Sequence, residues 1–132
     1  MTAVLADTSV WMRRDQTDVA ERLSGAIDDG RATMTTPIAL ELLRSALDAV
    51  TARSIASELG VLPWIPLTAA VERRATDVLL GLARRGYHRG PSPVDLLAAA
   101  AAEVAGAEFW HCDRHFDLIA EVTGQPMQRV GR

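Results

Sequence analysis

Apolar positions follow two different spacings along this 132-residue chain. A short apolar run over residues 2–6 predicts a first strand. Val19, Leu23 and Ile27 then recur every four residues, which predicts a helix that ends at Gly30. The chain therefore begins with a strand followed by an amphipathic helix.

The later segments alternate in the same way. "VLPWIPL" has the composition of a strand, but Pro63 and Pro66 cannot donate ladder hydrogen bonds, so this segment is predicted to lie at a sheet edge or to be irregular. The other predicted elements are a strand at 32–37, a helix at about 37–47 with Thr36 as its cap and Pro37 as its first residue, helices at 52–59 and at about 69–85, a helix from Ser92 and Pro93 to about 105, a strand at 107–111, a helix from Asp113, and a strand at 126–130. This order predicts an α/β fold in which helices cover both faces of a parallel sheet. No linker or internal repeat interrupts it, so we expect a single domain over residues 1–132.

Composition narrows the environment in which such a domain works. Hydrophobic residues make up 48% of the chain, enough for a real core, and no window approaches the roughly 20 uninterrupted apolar residues of a membrane span. Cys112 is the only cysteine, which excludes an internal disulfide and favours the cytoplasm. No second sulfur ligand accompanies it for a structural zinc site.

The formal net charge of −3 argues against a protein that binds nucleic acid by bulk charge. All fourteen basic residues are arginines, whose planar forks suit phosphate or carboxylate, although codon bias also explains such a composition. Any nucleic acid would have to be held locally.

Four acidic residues stand out by position, and each also has an ordinary structural explanation. Asp7 and Asp113 follow predicted strands, where either carboxylate could instead cap a helix. Glu41 borders the apolar face of its helix, where it could simply pair with Arg44. Asp95 stands three residues after the helix-starting serine, which is typical of a capping box, yet its helix is apolar on nearly every side and is predicted to be buried.

Taken together, the four acids are better explained by one shared functional site than by four separate structural roles. Three of them lie at strand ends or at helix starts that follow strands, and in a parallel sheet these points meet. Two carboxylates ~4 Å apart repel by roughly 4 kcal/mol at an effective dielectric constant near 20, so a cluster needs a cation or protonation. Oxygen ligands favour Mg²⁺ or Mn²⁺, and two such ions can activate water and stabilise the leaving oxygen in phosphodiester hydrolysis. Thr8 and Ser9 could orient Asp7.

Four segments of the chain resemble the PIN-domain ribonucleases, and within them the VapC-type toxins of type II toxin–antitoxin systems. The segments are "LADTSVW", "TPIALELLR", "PVDLLAAAAA" and "HCDRHFDLIA". The resemblance implies a three-layer α/β/α sandwich with a central, mainly parallel sheet of four to five strands. It also implies an endoribonuclease dependent on one or two Mg²⁺ or Mn²⁺ ions, a homodimer, and a cognate antitoxin that blocks the acidic site.

By motif position, the resemblance makes Asp7, Glu41, Asp95 and Asp113 the catalytic, metal-binding acids. Ser9 would be the hydroxyl that supports the first of them. Many relatives carry a further acid where this chain has His115, which leaves the ligands of a second ion open. Asp117 is an alternative ligand, although both it and His115 are also expected on the surface of the last helix.

The loop "ARRGYHRGPSP" before the third acid offers contacts for RNA. Arg84, Arg85 and Arg89 could contact phosphates and Tyr87 could stack on a base, whereas the first two arginines could equally complement the carbonyl end of their helix. Three other functions stay open: an RNA-processing PIN nuclease outside a toxin system, a Mg²⁺-binding phospho-acceptor signalling module, and a binding domain whose acids are all helix caps. The signalling module normally has a lysine near its site, and this chain contains none.

Overall fold

Four short parallel strands form the centre of the computed structural model, which describes residues 1–132. The strands are joined by helices on every crossover, as the alternating pattern predicts. The elements in chain order are β1 Val4–Ala6, α1 Thr8–Trp11, α2 Thr17–Asp28, β2 Ala32–Thr33, α3 Thr36–Arg44, α4 Ala49–Gly60, α5 Ala69–Arg84, α6 Pro93–Ala105, β3 Glu108–His111, α7 His115–Thr123 and β4 Met127–Arg129.

The sheet has the strand order β2-β1-β3-β4, and every pair is parallel. Leu5 in the central strand β1 lies opposite Thr33 on one side and Phe109 on the other. The chain moves outward from β1 to β2 and then in the opposite direction to β3 and β4, so right-handed crossovers place α2 on one face and α6 and α7 on the other. The predicted α/β fold with helices on both faces is confirmed.

Much of the core lies between the sheet and helices α6 and α7, against which α5 packs from outside. Leu5, Phe109 and Phe116 are fully buried there. Residues 98–102 of α6 are all alanines and are also buried, which confirms the expectation that this helix is enclosed. Because alanine adds little volume, α6 can pack closely against its neighbours while it carries Asp95 at its first turn.

Several element boundaries differ from the predicted ones. The second strand is only two residues long, because Met34 turns away to exchange backbone hydrogen bonds with Pro63 and Ile65 at 2.9 and 2.8 Å. Residues 61–67 are therefore irregular apart from one bridge between Met34 and Trp64, as their prolines predict.

The helices also begin and end at different residues. Thr35, not Thr36, is the N-cap residue of α3, and its hydroxyl donates to the carbonyl of Ile65 instead of to the helix. Helix α3 ends at Arg44, and α4 begins already at Ala49 because the Asp48 carboxylate caps it by accepting from the Thr51 N–H. No helix is long and apolar enough to span a bilayer.

Candidate active site

Asp7 lies directly after β1 and is a buried residue, only 5% exposed. One oxygen, Oδ2, accepts hydrogen bonds from the N–H of Ser9 at 3.0 Å and from the Ser9 hydroxyl at 2.6 Å, so Asp7 does cap the short helix α1. The other oxygen, Oδ1, is buried and has no hydrogen-bond partner. Helix capping therefore engages only one of the two oxygens of this carboxylate.

Thr8 and Ser9 connect Asp7 to two other parts of the site. The Ser9 hydroxyl accepts from the N–H of Cys112 at 3.0 Å, which joins the end of β1 to the end of β3. The Thr8 hydroxyl donates to Oε1 of Glu41 at 2.7 Å, which holds that carboxylate beside α1. Glu41 makes no ion pair with Arg44, so the surface pair that the helical spacing allowed is absent.

Asp95 is half-buried in the first turn of α6, inside the capping box that its spacing predicts. Its Oδ2 accepts from the N–H of Ser92 at 3.0 Å, and its own N–H donates to the Ser92 hydroxyl at 3.1 Å. The reciprocal bonds fix the side chain at the start of a buried helix. The box thus holds the carboxylate in place and occupies only one of its oxygens.

Asp113 follows β3 and stands next to the start of α7. The predicted start of that helix is wrong by two residues: α7 begins at His115, whose N–H donates to Oδ1 of Asp113 at 2.9 Å. The same oxygen lies 3.6 Å from Nδ1 of His115, whose side chain is partly exposed. The structure therefore places His115 against Asp113, on the side of its carboxylate that faces α7.

The electrostatics of these residues show that they lie within range of one another. Burial raises the pKa of Asp7 to about 6, against the lowering effect of the two Ser9 hydrogen bonds, and the charges of Asp95 and Glu41 raise it further. Burial also raises the pKa of Asp95, to which Asp113 and Glu41 contribute. The four acids thus form a single electrostatically coupled group at the carboxyl edge of the sheet.

This group suits a hard divalent cation by its chemistry. All four side chains offer carboxylate oxygens, and the unpartnered Oδ1 of Asp7 is the kind of buried acceptor that a cation would satisfy. No three acidic, histidine or cysteine side chains stand close enough together to form a preassembled metal cluster.

The Asp117 carboxylate is engaged elsewhere. One oxygen lies 3.4 Å from Nη2 of Arg129 on β4, and the other lies 3.7 Å from Nε2 of His111. The side chain is 60% exposed, as expected for the outer face of α7. The charges that chiefly raise the pKa of Asp7 and Asp95 are those of the other acids of the group and not that of Asp117.

The loop between α5 and α6 exposes the side chains that the sequence suggests for RNA contact. Arg85 is bound to α7, because its guanidinium lies 3.6 Å from the Glu121 carboxylate and donates to the Glu121 carbonyl. Arg84, Tyr87 and Arg89 are exposed and make no side-chain hydrogen bond or ion pair. Gly90 in this loop lies beside His115 and Leu118, which brings the loop close to Asp113.

Sequence reasoning missed one residue that contacts this group. His111 ends β3, is 2% exposed, and its Nδ1 accepts a hydrogen bond from the N–H of Asp113 at 3.3 Å. The available signal was its place as the last position of a buried strand two residues before an acid. That signal is weak, because the pattern alone does not tell on which side of the strand the imidazole lies.

Fold and site together define an α/β domain with four coupled acids at the carboxyl edge of a parallel sheet. Residues 4–122 match the family profile of the PIN domain. The chain belongs to the PIN-domain family, and the resemblance found in its four motifs is confirmed.

The relatives of this chain carry the names of ribonucleases. It is 36% identical over 126 residues to ribonuclease VapC18 of Mycobacterium tuberculosis, covering 94% of this chain and 92% of that protein. It is 40% identical over 128 residues to ribonuclease VapC2 of the same species, covering 96% and 91%.

Solved structures show the same fold at low sequence identity. The DNA-bound VapBC complex of Salmonella typhimurium contains a chain that aligns with a TM-score of 0.80 at 16% identity, covering 98% of both chains. VapC20 of Mycobacterium tuberculosis, described as a toxin that cleaves the sarcin-ricin loop, aligns with a TM-score of 0.65 at 21% identity, covering 87% of this chain and 93% of the other.

Proposed function

We propose that residues 1–132 form one PIN domain that acts as a Mg²⁺- or Mn²⁺-dependent endoribonuclease, the toxin of a toxin–antitoxin pair. The observation that carries the proposal is the buried, unpartnered Oδ1 of Asp7 within a group of four coupled carboxylates. The relatives, which are named as ribonucleases and cover nearly the whole chain, support the choice of RNA as substrate. An RNA substrate and a single cysteine favour the cytoplasm as the place of action.

In this proposal, four acidic side chains together bind one or two ions. Asp7, Glu41, Asp95 and Asp113 would supply the ligand oxygens. When bound, the cation would neutralise the carboxylates and activate water for hydrolysis of an RNA phosphodiester. Ser9 occupies Oδ2 of Asp7 and so leaves Oδ1 for the ion, while Thr8 orients Glu41 in the same way.

The exposed loop before α6 would hold the RNA backbone locally. Arg84 and Arg89 are free to meet phosphates, and Tyr87 is about half exposed and free to stack on a base. Arg85 would contact a phosphate only after its ion pair with Glu121 is broken. Local arginines of this kind would offset the net charge of −3 that otherwise repels RNA.

Two apolar surfaces of the domain would bind the expected protein partners, the antitoxin and a second copy of the chain. A groove between α1, α2 and the end of α4, lined by Trp11, Leu23, Ile27, Leu59 and Leu62, begins one turn beyond Asp7 and would receive the antitoxin. A second surface runs over α3, α6 and α5 and exposes Leu40, Leu67 and Leu79, together with Val94 and Leu97. We call it the α3–α6–α5 surface and assign it to the homodimer.

Metal-dependent cleavage of RNA tests the nuclease assignment. Asp7→Asn and Asp95→Asn keep the side-chain size and an oxygen for the helix cap but remove a charge from the acid group. We expect cleavage of total RNA in Mn²⁺ or Mg²⁺, none in EDTA, and a loss of at least 100-fold in both variants. Asp28→Asn, an exposed acid at the end of α2, is the matched control and should retain wild-type activity.

The same proteins also report metal binding without any turnover. A cation that binds only the folded state stabilises it by about 2.7 kcal/mol at 100 times its dissociation constant, so Mn²⁺ should raise the melting temperature of the wild type and of the Asp28 variant. Mn²⁺ should leave the melting temperature of Asp7→Asn almost unchanged. Full RNA cleavage by Asp7→Asn, or an equal Mn²⁺ effect on all variants, would show that this group is not the metal centre.

Induction in a bacterial host separates a toxin from an RNA-processing nuclease. We expect growth arrest that Asp7→Asn abolishes and that a small antitoxin encoded next to the gene relieves. Normal growth despite active enzyme would favour the processing nuclease instead. Mapping of the cleaved RNA ends would then identify the substrate in either case.

A further inference from the structure

His111 is a buried, ionisable side chain for which the proposed reaction has no direct use. The His111 residue is 2% exposed, and its imidazole packs beside the rings of Phe109 and Phe116, with ring centroids 6.4 and 5.3 Å away. A purely apolar residue would fill this space as well. The two ring nitrogens, however, both face polar groups.

On one side, Nδ1 accepts the N–H of Asp113 at 3.3 Å. An acceptor nitrogen carries no proton, so the neutral ring must carry its proton on Nε2. On the other side, Nε2 lies 3.7 Å from Oδ1 of Asp117. That carboxylate favours an N–H directed toward it, and its second oxygen accepts a hydrogen bond from the Arg129 guanidinium at 3.4 Å.

The opposite tautomer would direct an N–H at the N–H of Asp113 and a lone pair at a carboxylate. Both contacts would then be unfavourable.

We infer that His111 is a positioning residue for the acid group: its Nδ1 holds the backbone of Asp113, and Asp117 with Arg129 selects the tautomer that makes this possible. The inference rests on the proposed metal-dependent function. Asp113 is held from its other end by the N–H of His115 on its carboxylate, so its backbone and side chain are both restrained. Metal ligands commonly depend on such supporting hydrogen bonds, whose loss typically costs 10–100-fold in affinity or activity.

Two substitutions distinguish positioning from mere packing. In His111→Asn, Oδ1 occupies nearly the place of the imidazole Nδ1 and can still accept the N–H of Asp113. In His111→Gln, the acceptor lies one bond further out, near the place of Nε2. We expect Mn²⁺ affinity measured by calorimetry to fall at least tenfold in the Gln variant and to stay within threefold of the wild type in the Asn variant.

Ile119→Val is the matched control, since Ile119 is a fully buried apolar residue of the core on α7 and takes part in none of the hydrogen bonds of His111 and Asp113. It should lower stability and leave Mn²⁺ affinity unchanged. With RNA as substrate, the Gln variant should lose kcat more than it raises KM, because the exposed RNA-binding loop is untouched. Equal Mn²⁺ affinity of the Asn and Gln variants would overturn the inference.

Measurements on the metal-free wild type test the same contact even if a variant fails to fold. Imidazole ¹⁵N spectra should show the Nε2-protonated tautomer, and the Asp113 amide should exchange slowly with deuterium. A ring protonated on Nδ1, or an unprotected Asp113 amide, overturns the inference whatever the metal results are. Absence of Mn²⁺ binding by the wild type would instead count against the proposed function and leave these two readouts to decide the role of His111.

Discussion

Asp7 combines two roles that are usually alternatives for one residue. Its Oδ2 caps α1 through Ser9, whereas its Oδ1 is buried without a partner. Burial of an ionised group that lacks full compensation costs free energy, which appears here as a pKa raised to about 6. In the absence of metal, this side chain should therefore weaken the fold that it helps to organise.

Asp7→Asn should stabilise the metal-free protein near neutral pH. Between pH 3.8 and about 6 the folded state keeps the Asp7 proton that the unfolded chain has released, so wild-type stability falls as the pH rises through this range. The shift from 3.8 to about 6 corresponds to roughly 3 kcal/mol. In urea unfolding with EDTA, the free energy of unfolding of Asp7→Asn should exceed that of the wild type by about 1–3 kcal/mol at pH 7.5. At pH 3.5 the two proteins should differ hardly at all.

Saturating Mn²⁺ provides the control for this experiment. It should stabilise the wild type and reduce or reverse the advantage of Asp7→Asn at pH 7.5. A difference between the two proteins that does not depend on pH would contradict the account, because it would show that ionisation of Asp7 carries no cost in the fold.

At the scale of elements, the packing of α5 against α7 supports the edge of the site. Gly81 of α5 is buried, and a Cβ at this position would lie 2.9 Å from Cγ1 of Val122 on α7. A contact of that length forces one helix or the valine side chain to move, and β-branched side chains have few alternative rotamers in a helix. Glycine therefore allows the close approach that places α7, and with it the residues after β3.

Gly81→Ala should destabilise the protein although alanine is the better helix former. Alanine gains about 1 kcal/mol of helix propensity over glycine, but overpacking costs about 1–3 kcal/mol, so a net loss is expected. In a Val122→Ala background the clash disappears and the same change should become stabilising. Urea unfolding of the four proteins should give a coupling free energy of at least about 1 kcal/mol, whereas additive effects would rule out the contact.

At the scale of the whole molecule, the α3–α6–α5 surface is unusually apolar for one exposed to water. Leu40 is 60% exposed, and Leu67 and Leu79 are exposed by 37% and 36%. These side chains lie along two neighbouring grooves that share Leu97, and one groove includes Glu41 of the acid group. A contiguous exposed patch of this kind is typical of an interaction surface, and a second copy that covers it would border the site.

Leu40→Glu should convert the proposed dimer to a monomer. It places a charge in the groove lined by α3 and α6, where desolvation of an unpaired carboxylate opposes association. Sedimentation velocity at several concentrations should show a species of about twice 14.2 kDa for the wild type and of 14.2 kDa for the variant. Val50→Glu, at a position of α4 that is 76% exposed and lies outside both grooves, should remain dimeric. A wild-type monomer at all concentrations would contradict the assignment.

The order of elements and the capping box of α6 could be predicted because they depend on neighbours in the chain, and the parallel sheet follows from the alternation of strands and helices. Apolar spacing predicts α2, α5 and α6, and the serine that starts α6 identifies its capping box through a contact only three residues long. The position of Asp7 and Asp113 after buried strands follows from the same local pattern. Boundaries failed where a distant segment competed, as at Met34, which bonds to residues near 64 instead of extending β2.

Only the tertiary structure decided what each acidic side chain contacts. Glu41 accepts from Thr8, 33 residues away, instead of pairing with Arg44, and Ser9 links Asp7 to Cys112 across 103 residues. The orientation of His111 and the engagement of Asp117 by Arg129 depend likewise on the packing of β3, α7 and β4. Such contacts arise from how the sheet and helices pack together in space. The spacing of residues along the chain therefore determines which elements form, whereas the packing of those elements determines which carboxylate oxygens remain without a hydrogen-bond partner.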